Sequence, residues 1–459
     1  MDVSPGHYKR GTPLDKDGQE VKKTTRGWIY TCSELDFLRT VPYHYNAWSN
    51  SVLERYFFHP CVISLLYKGL GSHFSRFYSH LALHVPRTVP PALLSVLGLV
   101  CSCIAAATTI WHTSTPSGLV PSWVFYLDAA CVMLYHAFDA LDGKQSYRTQ
   151  NSEIEECYDH GCDSITSVLQ TIVLLTALNM TSRATEQLSL VMILLQIAFF
   201  MKHYEASVTH TVVFLDIDVT EVQCIVATLL LLTGMYGQGF WSETAEWAPG
   251  LHPVGIAVAG FSASILHSML VVFCGYKTRL EQVGIAIPRR PYSYKPLVQA
   301  AITTCCAIFA HVFGAAKLDV TLFVLAYGLA FAKISIKLNV LSKARADVPC
   351  IDTALVLTMS LTLFYVLALG RASRTTATCL IACIVVVSVV DILVFSVLAT
   401  WDFEEARGIR AFKICHGGKY IKPPCDGFYI TSSNLDDMRQ QWLELKEREP
   451  DLLQALYCQ

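Results

Sequence analysis

The chain has 459 residues, 53% of them hydrophobic and only 16% charged, with a mean hydropathy of +0.40. A soluble domain carries about 25% charged residues, so the deficit argues for surface that faces lipid. The formal net charge of −2 leaves no overall basic field and excludes a nucleic-acid partner held by electrostatics. Seventeen cysteines would suit a disulfide scaffold. However, Cys101, Cys103, Cys305, Cys306, Cys379 and Cys383 lie inside apolar runs, and no C-x-x-C pair is present, so they read as small packing residues.

Residues 1–48 form a polar and aromatic lead-in without the apolar core of a cleaved signal, so targeting is expected to fall to the first membrane helix. In the next region, 49–89, the segment SVLERYFFHPCVISLLYK opens with a capping box, Ser51 to Glu54, and residues 51–68 are expected to lie as a helix in the interface. The region 90–400 follows as the transmembrane domain. A bilayer core needs about 20 apolar residues in helix. Ten segments approach that length, near 91–111, 121–139, 160–179, 188–202, 222–240, 254–275, 297–316, 318–336, 351–370 and 377–400. Backbone polar groups in lipid are satisfied only in helices or closed barrels, and these runs are too long and uniformly apolar for barrel strands. The expected fold is all-α, a polytopic membrane bundle of about ten helices. Residues 401–459 form a tail in which 434–457 reads as a short amphipathic helix broken before Pro450.

Lysine and arginine in the short loops set the orientation. With the N-terminus in the cytoplasm, the loops at 143–158, 202–221, 276–296 and 337–350 are cytoplasmic. They carry Lys144, Arg148, Lys202, Lys277, Arg279, Arg289, Arg290, Lys295, Lys337, Lys343 and Arg345, whereas the opposite loops carry only Arg183, Lys317, Arg371 and Arg374. Both termini are then expected in the cytoplasm. Lys333 and Lys337, a turn apart, are expected to snorkel to the interface, and Asp391 in the tenth helix to make a buried hydrogen bond.

The chemistry lies in HAFDALDGKQSYRTQNSEIEECYDHGCDS, residues 136–164. Asp139 and Asp142 are three apart on one helix face, and Gly143 follows where the chain could leave room for a ligand. The third helix is expected to start at Ser152, with Glu155 as its capping partner. Glu156, Asp159, His160 and Asp163 then make one polar stripe at i, i+3, i+4 and i+7. Four aspartates converging at membrane depth need a counter-charge, and an all-carboxylate ligand set favours Mg²⁺ or Mn²⁺. Two such ions suit phosphoryl transfer. An unperturbed histidine titrates near neutrality, which makes His160 the best candidate for a general base; Glu156 one turn earlier could orient it, with Asp163 as the alternative base.

These residues resemble the class I CDP-alcohol phosphotransferase family, whose signature reads D-x2-D-G-x2-A-R-x8-G-x3-D-x3-D. Asp139, Asp142, Asp159 and Asp163 match its aspartates and Gly143 its first glycine. Asp142-Gly143-Lys144-Gln145 and Glu156-Cys157-Tyr158-Asp159-His160-Gly161 resemble the choline and ethanolamine branch, as do Asp218-Val219-Thr220-Glu221-Val222-Gln223 and Ala332-Lys333-Ile334. The chain departs from the family at four places: Ala92 replaces an asparagine before the first helix, Ser146-Tyr147 replaces A-R with Arg148 one place later, the interval to Asp159 is one residue shorter, and Glu155 replaces the second glycine. In the family the lost asparagine and arginine contact the CDP-alcohol.

The resemblance implies transfer of phosphocholine or phosphoethanolamine from CDP-choline or CDP-ethanolamine to diacylglycerol, with release of CMP. It further implies two Mg²⁺ ions on the four aspartates, substrate contacts from Gly143, Lys144, Gln145 and Arg148, a homodimer, and a home in the endoplasmic reticulum or Golgi membrane. The active site is expected at the cytoplasmic end of the second and third helices, where His203, Tyr204 and Glu205 could shape a head-group pocket. The departures leave a second reading, a catalytically altered relative with another CDP-alcohol or acceptor, or a non-catalytic one that binds lipid or nucleotide.

Overall fold

A computed structural model describes residues 28–31, 33–35, 38, 47–48, 78, 81–113, 120–149, 152–178, 185–209, 212–213, 219–241, 253–277, 293–368 and 373–414. Among them run ten long helices: α1 Pro91–Thr113, α2 Ser122–Arg148, α3 Glu153–Ala177, α4 Thr185–Thr209, α5 Val219–Tyr236, α6 Pro253–Phe273, α7 Lys295–Val312, α8 Val320–Lys343, α9 Thr353–Ala368 and α10 Arg374–Arg407. A four-residue helical turn, Ala315–Leu318, links α7 to α8. Strand structure among the described residues is confined to a parallel pair two residues long, Ala47–Trp48 with Val212–Val213. The interfacial helix expected at 51–68 and the tail helix expected at 434–457 lie outside the described residues.

Seven of the helices, α1, α2, α4, α5, α7, α8 and α10, are long and apolar enough to cross a bilayer. The apolar stretches of α6 and α9 are shorter, Val258–Phe273 and Thr353–Ala368. The acids in the first half of α3 lower its hydropathy. The chain is therefore a polytopic helical membrane protein, and among the described residues seven of its ten long helices meet the requirement for a span unaided. Its outer surface agrees: Val386, Val390, Leu393 and Val394 on α10, with Leu363 and Phe364 on α9, are exposed, as suits a face turned to lipid.

Helix ends follow local chemistry. Asp319 caps α8 by accepting the Leu322 amide at 2.9 Å, and Asp352 heads α9 by accepting the Leu355 amide at 2.8 Å. Ser373 does the same for α10 through Thr376, and α10 stops at Gly408, whose φ of 67° is open to glycine without a Cβ clash.

The most enclosed span is α8, which packs against α3, α4 and α10 and is apolar on nearly all sides. It approaches α3 closely at Gly328, where a Cβ would lie 2.7 Å from a methyl of Val168. Val168 and Ile172 of α3 join the large core built on Phe323, Tyr327 and Phe331, while Val173 and Ala177 of α3 join a second core with α1, α2 and α5. Helix α3 is thus wedged between two apolar clusters, which sets its depth and rotation. The lead-in is tied to the same frame: the Asp402 carboxylate accepts the amides of Trp28, Ile29 and Tyr30 at 2.7, 2.5 and 3.0 Å, and the Tyr30 hydroxyl donates to Val340 O at 2.7 Å.

Lys333 and Lys337 do not snorkel. Both are buried, and they share Asp352 (3.2 and 3.0 Å) and Asp391 (3.9 and 2.6 Å) in a four-charge network between α8, α10 and the start of α9. The reason is position: the long stems point into the bundle, where two acids 39 residues apart in sequence meet them, so the ammonium groups are neutralised without reaching water. Burial alone would push the Asp352 carboxyl up, but the two ammonium groups and the Leu355 amide outweigh it and hold it below the usual carboxylate range. Its contribution to stability is therefore kept above that range and lost only as pH falls through the lowered value. Removing a partner from such a buried network costs about 3–5 kcal/mol when the remaining charge is stranded. Asp391→Asn should accordingly lower the melting temperature in detergent, and Lys337→Met in the same chain should recover part of the loss. An unchanged melting curve for Asp391→Asn would show that the network adds nothing to stability.

Candidate metal centre

The third helix begins where its sequence says it should. Ser152 is the N-cap, accepting the Ile154 amide at 3.3 Å, and its hydroxyl donates to Glu155. Glu155, standing where the signature has glycine, is thereby a buried capping residue. Starting the helix there places Asp159 and Asp163 one turn apart on one face. On the other side, α2 runs on to Arg148, well past the end expected near 139, so Gly143 lies within a helix and not in a turn. The extension carries Asp139 and Asp142 on a rigid element.

Asp139, Asp159 and Asp163 each bring one carboxylate oxygen to within 4.8 Å of the others. Three like charges so close and half-buried cannot all stay ionised unless a cation or bound protons neutralise them. A set of hard oxygen donors fits a divalent ion such as Mg²⁺ or Mn²⁺ better than the soft or imidazole-preferring metals. Asp142 is not one of this trio. It is buried, and its Oδ2 accepts the Ser95 hydroxyl at 2.5 Å.

Two residues that support the acids escaped the sequence reading. The Tyr135 hydroxyl donates to Asp163 Oδ1, leaving the other carboxylate oxygen to point elsewhere. Tyr135 lies one helical turn before Asp139, so its spacing alone could have flagged it. Ser95 lies in the first turns of α1, three residues after Ala92, and its contact with Asp142 spans two helices, which no local pattern announces. Gln145, expected to meet substrate, has its side-chain amide on the carbonyls of Pro86 and Val89, both at 2.9 Å. It braces the turn that leads into α1 and so holds Ser95 over Asp142. Lys144 is buried near the end of α2, and the side chain of Arg148 lies outside the described residues.

His160 stands beside the cluster, its Nε2 3.8 Å from Asp159 Oδ2 and its Nδ1 3.9 Å from Glu156 Oε1. Both separations exceed hydrogen-bond length. The Glu156 carboxylate accepts instead from Lys343 at the end of α8, a partner 187 residues away that no local pattern could announce. His203 of α4 meets His160 edge to face, with ring centres 5.1 Å apart. Of the three α4 residues expected near the head group, this brings His203 to the site. Tyr204 donates to Ser293 O at 2.7 Å, and Glu205 faces Lys202 and Ser268. Arg407 of α10 forks onto both oxygens of Glu153, and Tyr158 meets Thr400, so the first turns of α3 are also tied to α10.

If Tyr135 sets the rotamer of Asp163, Tyr135→Phe should weaken Mn²⁺ binding about tenfold or more, since a hydrogen bond to a charged group contributes about 1.5–3 kcal/mol. Electron paramagnetic resonance of free Mn²⁺ reads this without turnover, and unchanged affinity would reduce Tyr135 to a packing residue.

No family model matches the chain. Among known proteins it is similar to Cholinephosphotransferase 1 of Danio rerio, 27% identical over 334 residues that make up 71% of this chain and 81% of the relative. It is also similar to Cholinephosphotransferase 1 of Gallus gallus, 29% identical over 187 residues, 40% of this chain and 54% of the relative. An uncharacterized CDP-alcohol phosphatidyltransferase class-I family protein of Dictyostelium discoideum is 27% identical over 195 residues, 42% of this chain and 50% of the relative. At 27–29% identity, the chain is thus similar to proteins named cholinephosphotransferase and to one named as a class-I CDP-alcohol phosphatidyltransferase family protein.

Proposed function

We propose that the protein transfers phosphocholine or phosphoethanolamine from the CDP-alcohol to diacylglycerol in an endoplasmic reticulum or Golgi membrane, with both termini in the cytoplasm. The observation that carries this reading is the meeting of Asp139, Asp159 and Asp163 from two helices within 4.8 Å. Relatives named cholinephosphotransferase support the choice of head group.

The balance of the reaction is simple. The lipid hydroxyl oxygen forms a bond to the phosphorus that carries the alcohol. The pyrophosphate bridge breaks, CMP leaves with the bond pair, and the hydroxyl proton passes to a base. Two divalent ions, when bound, would neutralise charge on the transferring phosphoryl group and on departing CMP. Asp139, Asp159 and Asp163 would hold them, with Asp142 completing the set from its place against Ser95. His160 is the proton acceptor in this reading, within reach of the cluster yet outside its ligand set. Glu156 keeps a negative charge near the imidazole and is itself steadied by Lys343. Helix α3, gripped by α8 and α10, keeps the imidazole and the carboxylates at fixed spacing, which is where much of the rate of a transfer between two bound substrates originates.

Purified protein with diacylglycerol, Mg²⁺ and labelled CDP-choline or CDP-ethanolamine should yield lipid product and CMP. Asp142→Asn or Asp159→Asn should abolish transfer while the protein stays folded in detergent, and near-normal activity in both would sink the two-metal reading. Failure of the wild type with either donor, despite nucleotide binding, would favour the non-catalytic relative suggested by Ala92 and Tyr147.

The roles of His160 and Glu156 separate in a double-mutant cycle. His160→Ala should cost on the order of 10²–10⁴-fold in rate, as for loss of a general base. Glu156→Gln should cost less, and the double mutant should be scarcely slower than His160→Ala, because Glu156 acts through the imidazole. If the two losses multiply, or Mn²⁺ binding collapses in Glu156→Gln, Glu156 is a ligand or a structural brace and the base must be Asp163.

A further inference from the structure

Two cations reach the first turns of α3 from other helices, and they are used differently. Arg407 forks onto both oxygens of Glu153, with Nε at 2.8 Å and Nη2 on the second oxygen. Lys343 meets Glu156 through one contact of its Nζ. An ammonium group has three donors, so two remain for other acceptors. The Lys343 side chain is also 20% exposed, whereas that of Glu156 is only 6% exposed, so the lysine is the accessible member of the pair.

Its position is equally specific. Lys343 is the last residue of α8. Glu156, which it touches, lies one turn before Asp159, toward the N-terminal end of α3. The ammonium therefore stands one turn beyond Asp159, at the end of α3 that the proposed topology turns to the cytoplasm, from which a water-soluble nucleotide would arrive.

Charge counting gives the rest of the argument. Two divalent ions would balance the four aspartates, and Lys343 balances Glu156. A pyrophosphate entering this site brings two negative charges that the neutralised cluster does not answer in full. From these facts we infer that Lys343 is a substrate-binding residue that donates to a pyrophosphate oxygen of the nucleotide while it keeps Glu156. This assignment rests on the proposed reaction for the nature of the ligand. A lysine suits the task because its compact charge can serve two acceptors at once on a flexible stem.

The test is a binding titration of CDP-choline to the full-length protein in detergent, with Mg²⁺ and without lipid acceptor, so that no turnover is needed. Lys343→Met should weaken binding about tenfold or more, and Lys343→Arg should retain most of it, as expected for a charge-assisted contact. Mn²⁺ affinity and the KM for diacylglycerol should stay near wild type. The double variant Lys343→Met with Glu156→Gln removes the stranded carboxylate and guards against simple misfolding. If it still binds weakly, Lys343 contacts the nucleotide. If it regains wild-type affinity, Lys343 acts only by restraining Glu156 and the assignment falls. Unchanged binding in Lys343→Met, with the wild type still transferring, overturns the lysine alone. A wild type that binds no CDP-alcohol overturns the proposed reaction and the lysine together.

Discussion

The mutual repulsion of Asp139, Asp159 and Asp163 is the constraint to which the rest of the structure answers. Holding three carboxylates within 4.8 Å in a half-buried site is unfavourable in isolation, and the bundle is built to impose it. Helix α3 is fixed between two apolar clusters and pressed against α8 at Gly328. Its first turns are held from outside by Arg407, Lys343 and the Ser152 cap. The apolar core thus supplies the free energy, and the ionic and capping contacts supply the direction.

A second layer of polar contacts orients individual carboxylates. Tyr135 takes one oxygen of Asp163, and Ser95 takes one oxygen of Asp142. Gln145 holds the turn before α1, so the Ser95 contact depends on α2 at both ends. Such supporting contacts matter at metal centres because an unrestrained carboxylate samples several rotamers, and ion binding must then bear the cost of ordering it. The same economy is visible far from the site, where Lys333, Lys337, Asp352 and Asp391 neutralise one another inside the bundle.

Membrane placement fits the reaction proposed for the protein. One substrate is soluble and the other stays in the bilayer, so a centre at the ends of helices lets both reach it. The tie from Asp402 to the amides of residues 28–30 draws part of the lead-in onto the end of α10, close to the residues that grip α3.

What the sequence determined by itself is the local part. Length and hydropathy announce the membrane helices. The caps at Ser152 and the i, i+3, i+7 spacing of Glu156, Asp159 and Asp163 announce the acidic stripe, because both depend only on neighbours within two turns. The reach of α2 past Gly143 was misjudged, since polar residues there suggested a loop while buried contacts made helix. Tertiary structure alone decided which acids meet, that Asp142 turns to Ser95, and that Gln145 braces a turn. It also decided that Lys333 and Lys337 stay inside and that Lys343 reaches Glu156. Each of those outcomes joins residues on different helices, as far as 187 positions apart, and is set by how helices cross, which no periodicity along one chain segment encodes.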